Sequence, residues 1–101
     1  MELTITKKES GSEMTLVAKG RITTASALDL EKALIEAFEN GFDPVILDMY
    51  SVELLTSTGI RVILKTFKAA TEEGKKFRIG STSEAVRNVL GLSNLEVMLK
   101  K

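Results

Sequence analysis

The stretch from Val45 to Leu64 constrains the fold more than any other part of the sequence. It opens with the apolar run Val45-Ile-Leu, turns polar at Asp48 and reaches the hydroxyl cluster Thr56-Ser-Thr-Gly. Apolar residues with helical spacing follow at once from Ile60. The pattern predicts a buried strand, a loop after Asp48 and an α-helix that begins at the hydroxyl cluster.

The start of this helix is a place where negative charge would be stabilised. Backbone N–H groups in the first turn of a helix have no intrahelical acceptors, and the helix dipole favours an anion there. A phosphate at Thr56, Ser57 or Thr58 would meet these groups. The alternative interpretation is that Thr56 or Ser57 is only an N-cap, since Ser and Thr are common caps.

The segments before this stretch predict a hairpin and a helix. Leu3-Thr-Ile-Thr and Met14-Thr-Leu-Val-Ala-Lys alternate between apolar and polar residues, and a short loop with glycine joins them. Two such runs indicate a β-hairpin. Apolar residues then recur at helical spacing from about Thr24 to Asn40, and Gly41 follows where a helix commonly ends.

The segments after the stretch predict two strands and a short helix. Residues 75–79 and 95–99 alternate as strands do, and Ser81-Thr-Ser-Glu84 fits a capping box for a helix that ends at Gly91. The predicted order is β-β-α-β-α-β-α-β. Strands that alternate with helices form parallel pairs. We therefore predict a single α/β domain over residues 1–101, with one mixed, mostly parallel sheet.

Composition excludes several classes of function. The 101 residues include no cysteine and no histidine, which rules out Ser–His–Asp and Cys–His catalysis, disulfides and the usual zinc ligands. Fourteen basic and fourteen acidic residues balance, so we expect neither nucleic acid nor an anionic membrane as a partner. With no signal-peptide pattern and no apolar run of about eighteen residues, we expect a cytoplasmic location.

Motifs for nucleotide binding and hydrolysis are also missing. The chain has no Walker loop and no Gly-x-Gly-x-x-Gly, and the residues from Leu55 to Gly59 lack the first glycine of Gly-x-Ser-x-Gly. No loop gathers acidic residues for a metal. We therefore expect a protein that is not an enzyme and that needs no cofactor or metal.

Five segments that together extend over nearly the whole chain carry a resemblance to a known family. They are Gly20-Arg-Ile-Thr-Thr-Ala-Ser-Ala-Leu-Asp-Leu, Val45-Ile-Leu-Asp-Met, Thr56-Ser-Thr-Gly-Ile-Arg-Val-Ile-Leu, Glu73-Gly-Lys-Lys-Phe and Val86-Arg-Asn-Val-Leu-Gly-Leu. In this order and spacing the chain resembles the STAS domain family, as found in bacterial anti-sigma factor antagonists.

The resemblance implies a phosphorylation site at Ser57. In the family the helix commonly begins with Asp-Ser-Ser-Gly, although some members keep the serine without the aspartate, and a partner kinase phosphorylates the first serine. That serine corresponds to Ser57, the next residue to Thr58 and the glycine to Gly59, while Thr56 replaces the aspartate. The resemblance implies a switch that sequesters an anti-sigma factor or serine kinase and that a phosphatase resets.

Two further sets of residues are candidates near Ser57. Asp48 is predicted to end its strand close to the same loop, where its carboxylate would hold backbone N–H groups. Arg61, Lys65 and Lys68 fall on one helix face, opposite the apolar side. They form either a contact strip for a partner protein or an ordinary solvated face.

Two alternative functions stay open at this stage. The first is a STAS-like interaction module that binds its partner without phosphorylation, which Thr56 in place of the family aspartate favours. The second is a domain that senses a small molecule or a nucleotide. The sequence does not separate these alternatives from the phosphorylated switch.

Overall fold

The computed structural model describes residues 3–92 and has seven elements of secondary structure. In chain order they are β1 (Leu3–Ser10), β2 (Glu13–Ile22), α1 (Ala27–Glu39), β3 (Val45–Leu55), α2 (Ser57–Glu72), β4 (Phe77–Thr82) and α3 (Glu84–Leu92). The predicted order is confirmed for all seven. The predicted last strand, over residues 95–99, lies outside the described residues.

The four strands form one sheet in the order β1-β2-β3-β4. β1 and β2 pair antiparallel as the predicted hairpin, with Ser10 opposite Glu13 at the turn. β2 with β3, and β3 with β4, pair in parallel. The prediction of a mixed, mostly parallel sheet is therefore confirmed.

Both crossover helices lie side by side against the same face of the sheet. α1 connects β2 to β3, and α2 connects β3 to β4. Both connections therefore move by one strand in the same direction across the sheet. Crossovers of the same hand then place both helices on one face. As a result α1 and α2 run in the same direction, with their starts at the carboxyl ends of β2 and β3.

Burial alternates along the strands and defines one core. The strand residues that face the helices are fully or almost fully buried, and so are two leucines of α1. On the opposite face of β3, Ile46 and Asp48 are partly exposed and Tyr50 is 69% exposed. The buried set includes Met14, Leu16, Ala18, Leu30, Leu34, Val45, Leu47 and Met49.

The prediction of a loop after Asp48 is wrong, because β3 continues to Leu55. The exposed residues Tyr50 and Ser51 interrupt the apolar pattern, and the pairing with β2 and β4 shifts register in this region. A register shift turns the strand locally, so that side chains beyond it change faces. Polar residues within a continuous but irregular strand therefore looked like a loop.

Two helix starts also differ from the prediction. α1 begins at Ala27 rather than near Thr24, because residues 24–26 form a turn before it. Ser81 lies in β4, so the predicted capping box is wrong. The hydroxyl of Ser83 instead accepts a hydrogen bond from the Val86 N–H at 3.1 Å, as an N-cap does.

No helix within residues 3–92 combines the length and the apolar composition needed to cross a membrane.

Candidate functional site

Ser57 is the first residue of α2, and its side chain is exposed. The first helical hydrogen bond runs from the Ile60 N–H to the Thr56 carbonyl oxygen, at 3.0 Å. The N–H groups of Ser57, Thr58 and Gly59 therefore precede the first intrahelical donor. The N-cap residue Thr56 makes no side-chain capping hydrogen bond. The exposed hydroxyl of Ser57 thus lies beside backbone donors that favour negative charge.

Thr56 holds the start of α2 against the end of β2. Its backbone N–H and its hydroxyl both donate to the Ile22 carbonyl oxygen, at 3.1 and 3.0 Å. The hydroxyl therefore points toward β2 and away from the first turn of its own helix. Thr56 acts as a tether between two elements, and this explains why it does not cap the helix.

Gly59 brings the first turn of α2 into close contact with the ends of β2 and β3. A β-carbon at this position would lie 2.7 Å from both the Ile22 Cγ2 atom and the Leu55 Cδ1 atom. Ile22 and Leu55 are 0% and 4% exposed, so neither can turn toward solvent without losing buried contacts. The missing side chain of Gly59 therefore lets the helix start approach the core of the protein.

The turn between β2 and α1 borders the candidate site at the start of α2. Ser26 is only 3% exposed, and its hydroxyl donates to the Arg21 carbonyl oxygen at 2.7 Å. The same hydroxyl accepts a hydrogen bond from the Thr23 N–H at 2.8 Å. Thr24, in this turn, places its hydroxyl 3.4 Å from the hydroxyl of Thr58. The turn therefore lies beside the start of α2.

By position in the sequence alone, Thr23, Thr24 and Ser26 are equivalent candidates to cap α1. The run Thr-Thr-Ala-Ser before a helix is a usable signal for a turn that is rich in hydrogen bonds. The pattern does not reveal that Ser26 is buried, since burial depends on the packing of α1 against the sheet.

The structure places Asp48 away from the candidate site. It lies in the fourth position of β3, seven residues before Leu55 ends the strand. Its Oδ1 atom accepts a hydrogen bond from the Tyr50 N–H at 2.9 Å. The carboxylate does hold a backbone N–H group, but within the irregular part of its own strand. The prediction that Asp48 lies near the helix start is therefore wrong.

The basic residues Arg61, Lys65 and Lys68 are all exposed on α2. Lys65 pairs with Glu31 of α1, with 2.7 Å between its Nζ atom and the Glu31 Oε2 atom. Among the described residues, Arg61 and Lys68 form no ion pair. The basic strip beside Ser57 thus has two unpaired cations and one that links the two helices.

Acidic residues do not assemble into a metal site in residues 3–92, where no cluster of three or more possible ligands occurs. The site is instead a set of hydroxyls at a helix start, with basic side chains on the turns that follow. Such a surface can accept a covalent phosphate or contact a protein.

The family model that describes the STAS domain matches residues 4–100. The chain belongs to the STAS domain family. No curated protein sequence matches the chain significantly. Solved structures of anti-sigma factor antagonists share its fold at low sequence identity.

Three of these structures show how far the likeness extends. An anti-sigma factor antagonist from Mycobacterium paratuberculosis is 20% identical, with a TM-score of 0.86 over 98% of this chain and 84% of that chain. The anti-sigma factor antagonist SpoIIAA in its unphosphorylated form is 13% identical, with a TM-score of 0.81 over 95% of this chain and 85% of that chain. The Bacillus cell fate determinant SpoIIAA in its phosphorylated form is 12% identical, with a TM-score of 0.75 over 95% of this chain and 88% of that chain.

Proposed function

We propose that this STAS domain is an anti-sigma factor antagonist whose binding to an anti-sigma factor is controlled by phosphorylation of Ser57. The observation that carries the proposal is the exposed Ser57 hydroxyl at an α2 start without a side-chain cap. The unphosphorylated domain sequesters an anti-sigma factor that is also a serine kinase. The kinase transfers the γ-phosphoryl group of its own ATP to the Ser57 oxygen, releasing ADP, and a phosphatase later hydrolyses the phosphoester.

The geometry around Ser57 supports a switch that acts at the surface rather than through unfolding. A phosphoserine carries about −1.5 to −2 charges at neutral pH. The first-turn N–H groups and the positive end of the α2 dipole stabilise that charge. Thr56 places no carboxylate next to it, and its tether to Ile22 does not involve the Ser57 side chain. Phosphorylation therefore leaves the fold intact.

Loss of binding must then occur at the contact with the partner. An unphosphorylated Ser57 presents a small hydroxyl on an exposed helix start. A phosphate adds a bulky, strongly hydrated anion that the partner would have to desolvate. The relationship to SpoIIAA, whose structure exists in an unphosphorylated and a phosphorylated form, supports this view of the site.

A second candidate is a STAS module that binds its partner without phosphorylation. Thr56 favours it, because its hydroxyl is engaged with Ile22 and offers a kinase no carboxylate beside Ser57. The partner surface would be the same, but Ser57 would serve only as a contact.

Mass spectrometry after incubation with the cognate kinase and ATP separates the two candidates. The wild-type domain should gain one phosphate and Ser57→Ala none. Thr58→Ala is the matched control, because it removes the hydroxyl of the next residue in the same helical turn and should leave phosphorylation of Ser57 intact. Equal phosphorylation of wild type and Ser57→Ala would contradict the assignment of Ser57. Binding of the partner by a domain that the kinase never phosphorylates would favour the second candidate.

A further inference from the structure

Exposed apolar side chains lie on the outer surface of α1 and α2. Leu28 and Ile35 on α1 are 61% and 48% exposed, and Leu64 on α2 is 42% exposed. Leu28 and Ile35 are seven residues apart, or about two helical turns, so they share one side of α1. Apolar side chains that are grouped on one surface are typical of a place where another molecule binds.

Charged side chains flank these apolar groups, with opposite signs on the two helices. Asp29 and Glu36 on α1 are seven residues apart, and Arg61 and Lys68 on α2 have the same spacing. All four are exposed, and Glu36 also pairs with Lys7 of β1, with 2.9 Å between the Lys7 Nζ atom and the Glu36 Oε1 atom. The charges of each pair recur about 10 Å apart along their helix, since a helix rises about 1.5 Å per residue. We define the helix face as Leu28, Asp29, Ile35, Glu36, Arg61, Leu64 and Lys68.

The opposite signs extend over the whole of each helix. α1 carries four acidic residues and one basic residue, a net charge of −3. α2 carries three basic residues and one acidic residue, a net charge of +2. The two helices run side by side in the same direction, because Thr24 meets Thr58 at their starts and Glu31 meets Lys65 further along. The surface is thus divided lengthwise into an acidic and a basic half.

Such a divided surface is complementary to itself. A two-fold axis that runs parallel to the helices places α1 of one copy on α2 of the other, and α2 on α1 by symmetry. Negative charge then meets positive charge twice, and Leu28 and Ile35 of each copy reach Leu64 of the other. The formal net charge of the chain is zero, so no long-range repulsion opposes the approach of two copies.

We propose that the helix face binds a second copy of this chain and forms a two-fold symmetric dimer. Two helices per copy form a small interface, so the dimer is weak and depends on protein concentration. The dimer covers Arg61 and Lys68, which are the unpaired cations beside Ser57. Self-association therefore competes with any partner that uses the same strip. This inference stands independently of whether Ser57 is phosphorylated.

The first test measures the sedimentation velocity of the wild-type domain over a series of concentrations up to roughly 1 mM. We expect a reversible monomer–dimer equilibrium that weakens as the salt concentration rises. Arg61→Glu combined with Lys68→Glu should raise the dimer dissociation constant at least about tenfold. The matched control is Lys8→Glu with Lys19→Glu, two exposed lysines on the opposite face of the sheet. Both double variants have a net charge of −4, since each reversal changes the charge by −2 from zero.

Charge exchange across the two-fold axis provides the decisive test. Asp29→Lys and Glu36→Lys, added to Arg61→Glu and Lys68→Glu, invert both halves of the helix face and restore a net charge of zero. This quadruple variant should dimerise within about threefold of wild type. The same two lysine substitutions added to Lys8→Glu and Lys19→Glu also give zero net charge but leave both halves basic. That control should remain monomeric.

Three outcomes would overturn the proposal. The first is a wild-type domain that stays monomeric at every concentration, which would mean that a second copy does not occupy the helix face. The second is equal association of the two quadruple variants. The third is equal weakening of the dimer by the two double variants, which would indicate an effect of net charge alone. Circular dichroism and thermal melting of each variant verify that it is folded before its association is measured.

Discussion

Gly59 in the first turn of α2 lies so close to Ile22 at the end of β2 that a β-carbon on Gly59 would come within 2.7 Å of the Ile22 Cγ2 atom. The carbonyl oxygen of the same Ile22 accepts two hydrogen bonds from Thr56. The helix start that carries Ser57 is therefore fixed to the sheet by contacts on both sides of the serine. Ser57 is held in place while its own side chain remains free for chemistry.

Gly59→Ala should lower the free energy of unfolding. The added methyl group overpacks a filled space, which costs about 1–3 kcal/mol, although alanine recovers up to about 1 kcal/mol through its higher helix propensity. Urea unfolding measures the difference. In a Leu55→Ala background, which removes one of the two obstructing side chains, the same substitution should cost less. An equal cost in both backgrounds would contradict the close contact.

Thr56→Val should destabilise the domain by about 0.5–1.5 kcal/mol, the usual net contribution of one hydrogen bond. The substitution keeps the shape of the side chain and the N–H bond to Ile22 but removes the hydroxyl that donates to the same oxygen. Thr58→Val is the control, because the Thr58 hydroxyl makes only the 3.4 Å contact with Thr24. If the two variants unfold at the same urea concentration, the tether contributes nothing.

Ser26→Ala should be more damaging than Ser57→Ala, although both remove one hydroxyl. Ser26 is buried, and its loss removes a hydrogen-bond partner from both the Arg21 carbonyl oxygen and the Thr23 N–H. Unsatisfied groups of this kind cost about 1–3 kcal/mol. Ser57 is exposed, so its truncation should change the stability by less than about 0.5 kcal/mol. Chemical unfolding of the two variants, side by side, gives the comparison.

Phosphoserine at position 57 should leave the melting temperature within a few degrees of wild type or raise it slightly. The charge meets the first-turn N–H groups and the positive end of the helix dipole, an interaction worth about 0.3–1 kcal/mol. Incorporating phosphoserine during translation gives a homogeneous sample, and Ser10, exposed at the end of β1, is a control position for the added charge. A large fall in melting temperature only at position 57 would indicate a conformational switch.

The same phosphorylated sample should bind the anti-sigma factor at least about tenfold more weakly, or about 1.4 kcal/mol, in isothermal titration calorimetry. Partner binding is then lost without loss of the fold. Unchanged affinity would mean that Ser57 does not control the interface.

The double variant Arg61→Glu and Lys68→Glu should bind the anti-sigma factor with a lower association rate. That rate should also depend less on the salt concentration. Exposed charges mainly steer the encounter of two proteins, so the association rate responds more than the dissociation rate. Lys65 is left unchanged, because it pairs with Glu31 and its replacement would also disturb contacts between α1 and α2. Stopped-flow measurements at several salt concentrations test this, and unaltered kinetics would make the strip an ordinary solvated face.

The sequence predicted the strand and helix order because each element has a local pattern. The alternation of apolar and polar residues predicted the β1–β2 hairpin, and the helical spacing of apolar residues predicted α1 and α2. The hydroxyl cluster indicated the start of α2. The same reasoning misplaced Asp48, because the register shifts within β3 break the alternation on which a strand prediction depends. It also placed the cap of α3 at Ser81, although Ser83 provides it, since several hydroxyls in a row offer equivalent local choices.

Only the tertiary structure decided how the candidate site is held together. Three of its contacts join residues that are 34 positions apart in sequence, namely Thr24 with Thr58, Ile22 with Thr56 and Glu31 with Lys65. The sequence alone determined that Ser57 begins a helix, because the residues of that turn are neighbours in the chain. Which way the Thr56 hydroxyl points, what Gly59 touches and which cations stay unpaired depend on how two parallel strand–helix units pack, and no local pattern encodes that packing.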